Sequence, residues 1–300
     1  MDWDDLRVFL HIARTGRIID AAKLLAIDHS TASRHLFRLE EDIGAKLFDR
    51  AGRRLKITPA GQSLMTIAAR MESIVLREVG AISQQAVDIS GKVRIGAPEG
   101  LGIAYLGRRL PQMGRAYPTL ELELVALPQN YSLASREVDI AITLDRPEAG
   151  NISTRRLTNY QLGFFAATGY ISRHGQPSSL AGLPDHTLCG YIPELLHTQE
   201  LNYLAAPELN LLPGLRSTSV LAQREMIESG SAIGVLPLFM TSDRPHLLRI
   251  VQREFTITRS YWLSVHEDLR PLARIRAVID EIANIVRRDQ PIFMPQPLES

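Results

Sequence analysis

The chain has 300 residues, 34 Lys+Arg against 33 Asp+Glu for a formal net charge of +1, with 45% hydrophobic and 22% charged residues. Those are ordinary globular values for about two domains, and they exclude a disordered chain or a disulfide-stapled secreted scaffold. A lone cysteine, Cys189, makes neither an internal disulfide nor a paired-cysteine metal site. No apolar run approaches the ~18 residues of a membrane span. The acidic start Asp2-Trp3-Asp4-Asp5 is unlike a secretory signal. The expectation is a soluble, cytoplasmic protein without membrane contact.

In chain order, Leu6, Phe9, Leu10 and Ala13 form one apolar stripe of a first helix, with Gly16 as its stop. Ala21, Ala22, Leu24 and Leu25 predict a short second helix. Asp28 is placed to cap a third, in which Ala32, Leu36, Leu39 and Ile43 recur at helical spacing. The tight turn between the second and third suggests a helix-turn-helix. Residues 47–57 read as a short hairpin, or wing. Thr58-Pro59 starts a helix running to about Asp88, about 45 Å at 1.5 Å per residue. Its seam of Leu64, Ala68, Met71, Val75 and Ile82 asks for a second copy to cover it, or else packs on its own protomer.

Ser90-Gly91 breaks that helix, and strands and helices then alternate. Strands are predicted at 93–95, at Leu120, Leu122 and Leu124, at Val138, Ile140 and Ile142, and over 162–167, 234–237 and 261–265. Helices are predicted to about Met113, over 219–229, and through Leu272, Ile275, Ile279, Ile282 and Val286. This is an α/β pattern with largely parallel sheets. The proline-rich tail 291–300 is expected to be loosely held.

The charge is uneven in a way the total hides. Residues 1–60 hold 11 basic and 9 acidic groups, residues 61–90 hold 2 and 3, and residues 91–300 hold 21 of each. Arg50, Arg53, Arg54 and Lys56 fall within seven residues with no acid among them, and a basic face suffices to hold phosphate. The third helix has the chemistry of a major-groove reader. Ser30, Thr31 and Ser33 are short hydrogen-bonding groups near its start, and Arg34 suits guanine or a phosphate. A solvated polar face is the other reading of such a helix.

Ala21-Ala22-Lys23-Leu24-Leu25, Ser30-Thr31-Ala32-Ser33-Arg34, Leu39-Glu40-Glu41-Asp42-Ile43-Gly44-Ala45-Lys46-Leu47-Phe48-Asp49-Arg50 and Arg53-Arg54-Leu55-Lys56-Ile57-Thr58-Pro59 follow one another in order. As one constellation they resemble the LysR-type transcriptional regulators. Tyr117-Pro118-Thr119-Leu120-Glu121-Leu122, Val138-Asp139-Ile140-Ala141-Ile142 and Gly234-Val235-Leu236-Pro237 extend the resemblance over the chain. It implies a winged helix-turn-helix (1–58), a dimerising linker helix (59–90) and a two-lobed α/β, periplasmic-binding-protein-like effector domain (91–300). Lobe I takes about 91–161 and 267–300, and lobe II about 162–266. The chain would cross between lobes near Tyr160–Phe165 and Val265–Asp268.

By that resemblance His29, Ser30, Thr31, Ser33, Arg34 and Arg38 of the third helix, and Arg50, Arg53 and Arg54 of the wing, meet double-stranded DNA. His29 and Ser30 depart from the Gln and Pro frequent there. Phe37 is expected to pack beneath the wing. The implied partners are promoter DNA, a small-molecule effector, further copies in a dimer and tetramer, and RNA polymerase. Ligands of two-lobed α/β units bind at strand ends. The junctions Pro98-Glu99-Gly100 and Thr218-Ser219 are therefore the candidate effector site, with Ala166 and Ala167 as its floor by resemblance. Glu99 stands where a small polar residue is usual, which argues against a dianionic effector and for a neutral or amine-bearing one; a solvent-facing helix cap is the other reading.

Nothing points to an enzyme or a bound cofactor. Ser229-Gly230-Ser231 is not a nucleophile elbow, Gly96, Gly100 and Gly102 are not a dinucleotide fingerprint, and the eight histidines lack metal-ligand spacing. A small-molecule binding protein without a regulatory role is the alternative.

Overall fold

The computed structural model describes residues 2–51, 54–83, 89–127, 133, 137–147, 151–204, 209 and 211–295; at 50, 51, 54, 70, 73 and 76–83 it describes backbone alone. The chain divides into two compact units. One holds Met1–Val87 with Ser132–Glu137 and His266–Ala273; the other holds Asp88–Tyr131, Val138–Val265 and Arg274–Ser300.

In the first unit α1 (Trp3–Thr15), α2 (Ile18–Leu25) and α3 (His29–Ile43) precede the strands β1 (Phe48–Ala51) and β2 (Arg54–Ile57) and the helix α4 (Pro59–Ser83). Asp2 caps α1 by accepting from the Asp4 N–H, and Gly16 ends it in the left-handed conformation at φ 70°. The turn between α2 and α3 places Ala26 at φ 53°, a strained position for a residue with a Cβ. Asp28 precedes α3 as expected, but its side chain makes no cap hydrogen bond. Phe9, Ile12, Leu39 and Leu47, all fully buried, form the core that the three helices share.

The wing is an antiparallel pair with Phe48 opposite Ile57 and Asp49 opposite Lys56. It is tied down at both ends. The Leu55 N–H donates to the Gly16 carbonyl at 3.0 Å, and the Leu47 N–H donates to Glu40 Oε1 at 2.9 Å. Thr58 starts α4 by accepting from the Gly61 N–H, while its own hydroxyl donates to the Lys46 carbonyl.

The predicted seam of α4 splits in two. Ala68 is buried and Leu64 half-buried against the first unit's core, which is the own-protomer reading. Arg14 grips Glu72 with two hydrogen bonds, of 2.6 and 3.3 Å, on that same side. Met71 and Val75 remain exposed, joined by Ile67 and Ile74. The side chain of Ile82 lies outside the described residues.

The second unit is built on one continuous nine-stranded sheet. β3 (Gly91–Pro98) lies parallel to β4 (Leu120–Leu127) and to β5 (Ile140–Thr143). Between β3 and β4 the chain forms α5 (Glu99–Leu101), a π turn and α6 (Gly107–Ala116). The predicted strand at 162–167 is the second half of a much longer one, β6 (Ile152–Ala167). α7 (Thr168–His174), β7 (Leu188–Gly190), β8 (Leu215–Arg216), α8 (Val220–Glu228), β9 (Ile233–Pro237) and β10 (Leu247–Ile250) follow, then β11 (Ile257–His266), α9 (Ala273–Arg288) and α10 (Gln290–Phe293).

Strands β4, β3 and β5 form one lobe, and β9, β7 and β8 the other, each internally parallel as the alternation predicts. β6 and β11 join them. β11 pairs antiparallel with β5 through Trp262–Val265, and β6 pairs antiparallel with β9 through Leu162–Phe165 and with β10 through Phe164–Ala167. The burial of β6 records its change of lobe. It alternates through Thr158, Tyr160 and Leu162, then is buried without a break to Ala167, where strands flank it on both sides.

The tail is not loose at its start. Phe293 of α10 is fully buried, its ring centroid 4.6 Å from Tyr105 and 5.0 Å from Phe239. Residues 296–300 lie outside the described residues. Truncating this anchor removes a large buried ring from a packed site. Phe293→Ala should therefore lower the unfolding free energy of the second unit by about 3–5 kcal/mol, read from urea denaturation; an unchanged midpoint would show that the tail does not anchor the fold.

Candidate functional site

Two sites emerge, one in each unit. On the first, α3 presents His29, Ser30, Arg34 and Arg38 exposed, with Thr31 and Ser33 half-buried among them. Side chains from α3 and Lys46 line a groove beside β1 and β2. Ser33 donates back to the His29 carbonyl at 2.9 Å, and Arg34 donates to the Thr31 hydroxyl at 3.1 Å. Arg34 is thereby tied to its own helix through one donor while the residue stays exposed. Phe37 does not pack beneath the wing. It is 56% exposed, with the Lys46 ammonium 5.8 Å from its ring centroid. Arg50 and Arg54 lie on the wing strands with their side chains outside the described residues, and Arg53 lies outside them altogether.

Arg38 has a second duty. Its guanidinium donates to Asp5 Oδ1 at 2.6 Å, and His35 Nδ1 lies 2.6 Å from the same oxygen. Asp5 is only 2% exposed, so α3 is clamped to α1 through a buried carboxylate. Burial acts to raise the Asp5 carboxyl, but the hydrogen bonds from Arg38 and His35 outweigh it and hold the group below its ordinary 3.8.

In the second unit the two predicted junctions converge on one cavity of about 40 Å³. Pro98, Glu99 and Gly100 at the end of β3 face Thr218 and Val220 at the start of α8. The approach is close: a Cβ at Gly100 would stand 3.1 Å from Val220 Cγ1 and 3.0 Å from Met240 Sδ. Ser219 caps α8 by accepting from the Ala222 N–H at 3.1 Å and donates to Glu99 Oε1 at 2.9 Å. Glu99 is half-buried rather than a solvent-facing cap. Its Oε2 is buried and has no hydrogen-bond partner among the described residues.

Ala166 and Ala167 are not part of this cavity. They sit at the far end of β6, buried in pairing with Leu248 and Leu247 of β10. The floor comes instead from Tyr160 and Leu162 of β6 and Tyr261 of β11, where both strands change lobe. Tyr160 and Tyr261 stack at 4.2 Å with planes 12° apart. Tyr191, His197 and Tyr203 close the side beyond β7. Sequence reasoning missed these aromatic walls. Tyr160 and Leu162 stand two apart on a crossover strand, a signal that was available; Tyr191 and Tyr203 sit in irregular chain with no period to reveal them. Burial raises the Tyr160, Tyr191, Tyr203 and Tyr261 phenols far above their ordinary value and lowers His197. The phenols stay neutral at physiological pH.

Cys189 is fully buried, and burial pushes its thiol up to about 12, so it carries no thiolate. Among the described residues no cluster of His, Cys, Asp and Glu is arranged to hold a metal, and no helix is long and apolar enough to cross a membrane.

Residues 3–62 match the model of the bacterial regulatory helix-turn-helix protein, lysR family, and residues 87–286 match the LysR substrate binding domain. The chain belongs to the LysR family of DNA-binding transcriptional regulators, with a C-terminal effector-binding domain, and is not an enzyme. It is 29% identical over 276 residues to the Mau operon transcriptional activator of Paracoccus denitrificans, covering 91% of this chain and 93% of that protein. It is 26% identical over 245 residues to the regulator CrgA of Neisseria meningitidis serogroup C, covering 80% and 81%. Among solved structures, a full-length OxyR variant from Pseudomonas aeruginosa aligns with a TM-score of 0.69 at 18% identity, covering 100% of this chain and 99% of the other. Full-length CbnR complexed with its target DNA aligns at 0.53 and 16% identity, covering 96% and 99%.

The Asp5 clamp has a defined pH signature. A carboxylate whose folded pKa is depressed stabilises above its unfolded value and loses that contribution as pH falls through the folded one. Asp5→Asn should lower the stability of the first unit at neutral pH by about 1–3 kcal/mol and reduce its loss of stability below pH ~3.8, followed by urea unfolding at both pH values. An unchanged midpoint at neutral pH would remove the clamp.

Proposed function

We propose that α3 reads operator DNA in the major groove through His29, Ser30, Thr31, Ser33 and Arg34, with Arg50, Arg53 and Arg54 of the wing on the flanking backbone. In support, His29, Ser30, Thr31, Ser33, Arg34 and Arg38, all exposed or half-buried, lie on one side of a helix whose opposite side, Ala32, Leu36 and Leu39, is buried. Arg38 contributes charge to this face but is primarily the Asp5 clamp.

Two copies join through the stripe of Ile67, Met71 and Ile74 on α4. Its spacing of four and three residues is that of a helix–helix seam, and all three side chains are exposed in the single chain, at 54%, 39% and 50%. Dimers pair further into tetramers on the DNA. A small-molecule effector enters the cavity between the lobes in the second unit. It changes the equilibrium between lobe arrangements and hence contact with the promoter and RNA polymerase. The protein acts in the cytoplasm.

The observation that carries the sensing half of this reading is the convergence of Glu99, Thr218 and both crossover strands on one cavity. The observation that carries the assembly half is the uncovered stripe of α4. Arg34→Ala should weaken operator binding by about 1–3 kcal/mol in a mobility-shift titration; unchanged affinity strikes Arg34 from the contacts. Met71→Glu places a charge in the seam and should convert the dimer to a monomer in sedimentation at micromolar concentration, with operator affinity falling in parallel. A dimer that survives it would relocate the interface.

A further inference from the structure

The effector cavity contains an acid where its neighbours are uncharged. Glu99 lines it, and among the described residues no Lys or Arg does. One carboxylate oxygen, Oε1, accepts from Ser219; the other, Oε2, is shut away from solvent with no hydrogen-bond partner among the described residues. A buried carboxylate oxygen left unmatched is unfavourable, so this one is poised for a donor that the protein itself does not supply.

The surroundings decide what kind of donor fits. The start of α8 is the natural place for an anion, yet Ser219 satisfies the Ala222 N–H there and Glu99 brings its own negative charge to that helix end. A ligand carboxylate would meet Glu99 head on. The remaining walls are the rings of Tyr160, Tyr191, Tyr203 and Tyr261, aliphatic side chains such as Leu144 and Leu162, and His197, whose charged form burial disfavours. Phenol faces attract a cation and shelter an apolar stem, and the hydroxyl of Thr218 is a further acceptor on the same wall.

We infer that the effector is a small organic ammonium ion, its N–H groups donating to Glu99 Oε2 and its carbon stem lying among the tyrosine rings. The inference rests on the reading of this cavity as the effector site and adds the charge class of the ligand to it. The cavity volume, about 40 Å³, favours a compact amine over an extended polyamine. Both oxygens of Glu99 then have partners, Ser219 on one side and the ligand on the other. The ligand replaces the missing donor and draws the β3 junction and the α8 junction together through a single carboxylate.

Three molecules of nearly equal size and different charge test this: propylammonium, propionamide and propionate. Each is titrated into the full-length protein while its thermal unfolding midpoint is followed. Propylammonium should raise the midpoint in a concentration-dependent way, and the other two should not. Glu99→Gln preserves the side-chain volume and should weaken propylammonium at least tenfold, while Glu99→Asp, which keeps the charge, should restore part of the binding. Leu144→Trp, which fills the cavity, should abolish it. Stabilisation by propionate or propionamide equal to that by propylammonium overturns the ammonium assignment; if Leu144→Trp removes that stabilisation, the cavity still stands as the effector site. Propylammonium binding unaffected by both Glu99→Gln and Leu144→Trp lies elsewhere and overturns both readings. Absence of any propylammonium response overturns the ammonium assignment alone. Comparing the unliganded midpoints of the variants with that of the parent separates loss of binding from loss of fold.

Discussion

The second unit depends on two adjacent strands that join its lobes. β11 pairs with β5 of one lobe and β6 with β9 of the other, and between them Tyr160 lies flat on Tyr261. Phe239 abuts both rings by its edge, and Phe293 packs on Phe239 in turn. A cluster of rings at this place does two things at once. It fills the space where the sheet changes direction, and it forms the floor of the cavity. The strands that join the lobes are therefore also the strands that line the cavity.

The chemistry of the cavity follows from how few charges reach it. Buried phenols remain neutral, and Glu99 is the one carboxylate in the cavity lining among the described residues. Ser219 orients that carboxylate while capping α8, so one hydroxyl settles both the helix start and the acid. Thr218, the neighbouring residue, is left to face the cavity.

Periodic features were legible in the sequence and aperiodic ones were not. The apolar stripes of α1, α3 and α9 gave those helices, and the strand alternation gave the parallel lobes, because a single face determines each. The predicted cavity junctions, Pro98-Glu99-Gly100 and Thr218-Ser219, do meet, since strand ends and helix starts leave marks in local sequence. The floor was misread. Ala166 and Ala167 lie beyond the crossing on β6, and nothing local states where a long strand changes neighbours. The α4 seam does not meet one partner: Leu64 and Ala68 pack on the core of the first unit, while Met71 and Val75, farther along the helix, stay exposed. Arg38, expected at the DNA, also holds the buried carboxylate of Asp5, a partner 33 residues away that no local pattern reveals. The prolines of the tail predict loose holding, and ring contacts with Tyr105 and Phe239, distant in sequence, are what hold Phe293.

The grip of Arg14 on Glu72 gives α4 a fixed rotational phase relative to α1. Ala68 and Glu72 key one side of α4 to α1, and the apolar stripe is offset from them around the same cylinder. Each helical residue turns the axis by about 100°. The direction in which the uncovered stripe faces is therefore set from the other side of the helix, by the Arg14–Glu72 pair and the burial of Ala68, rather than by the stripe's own side chains.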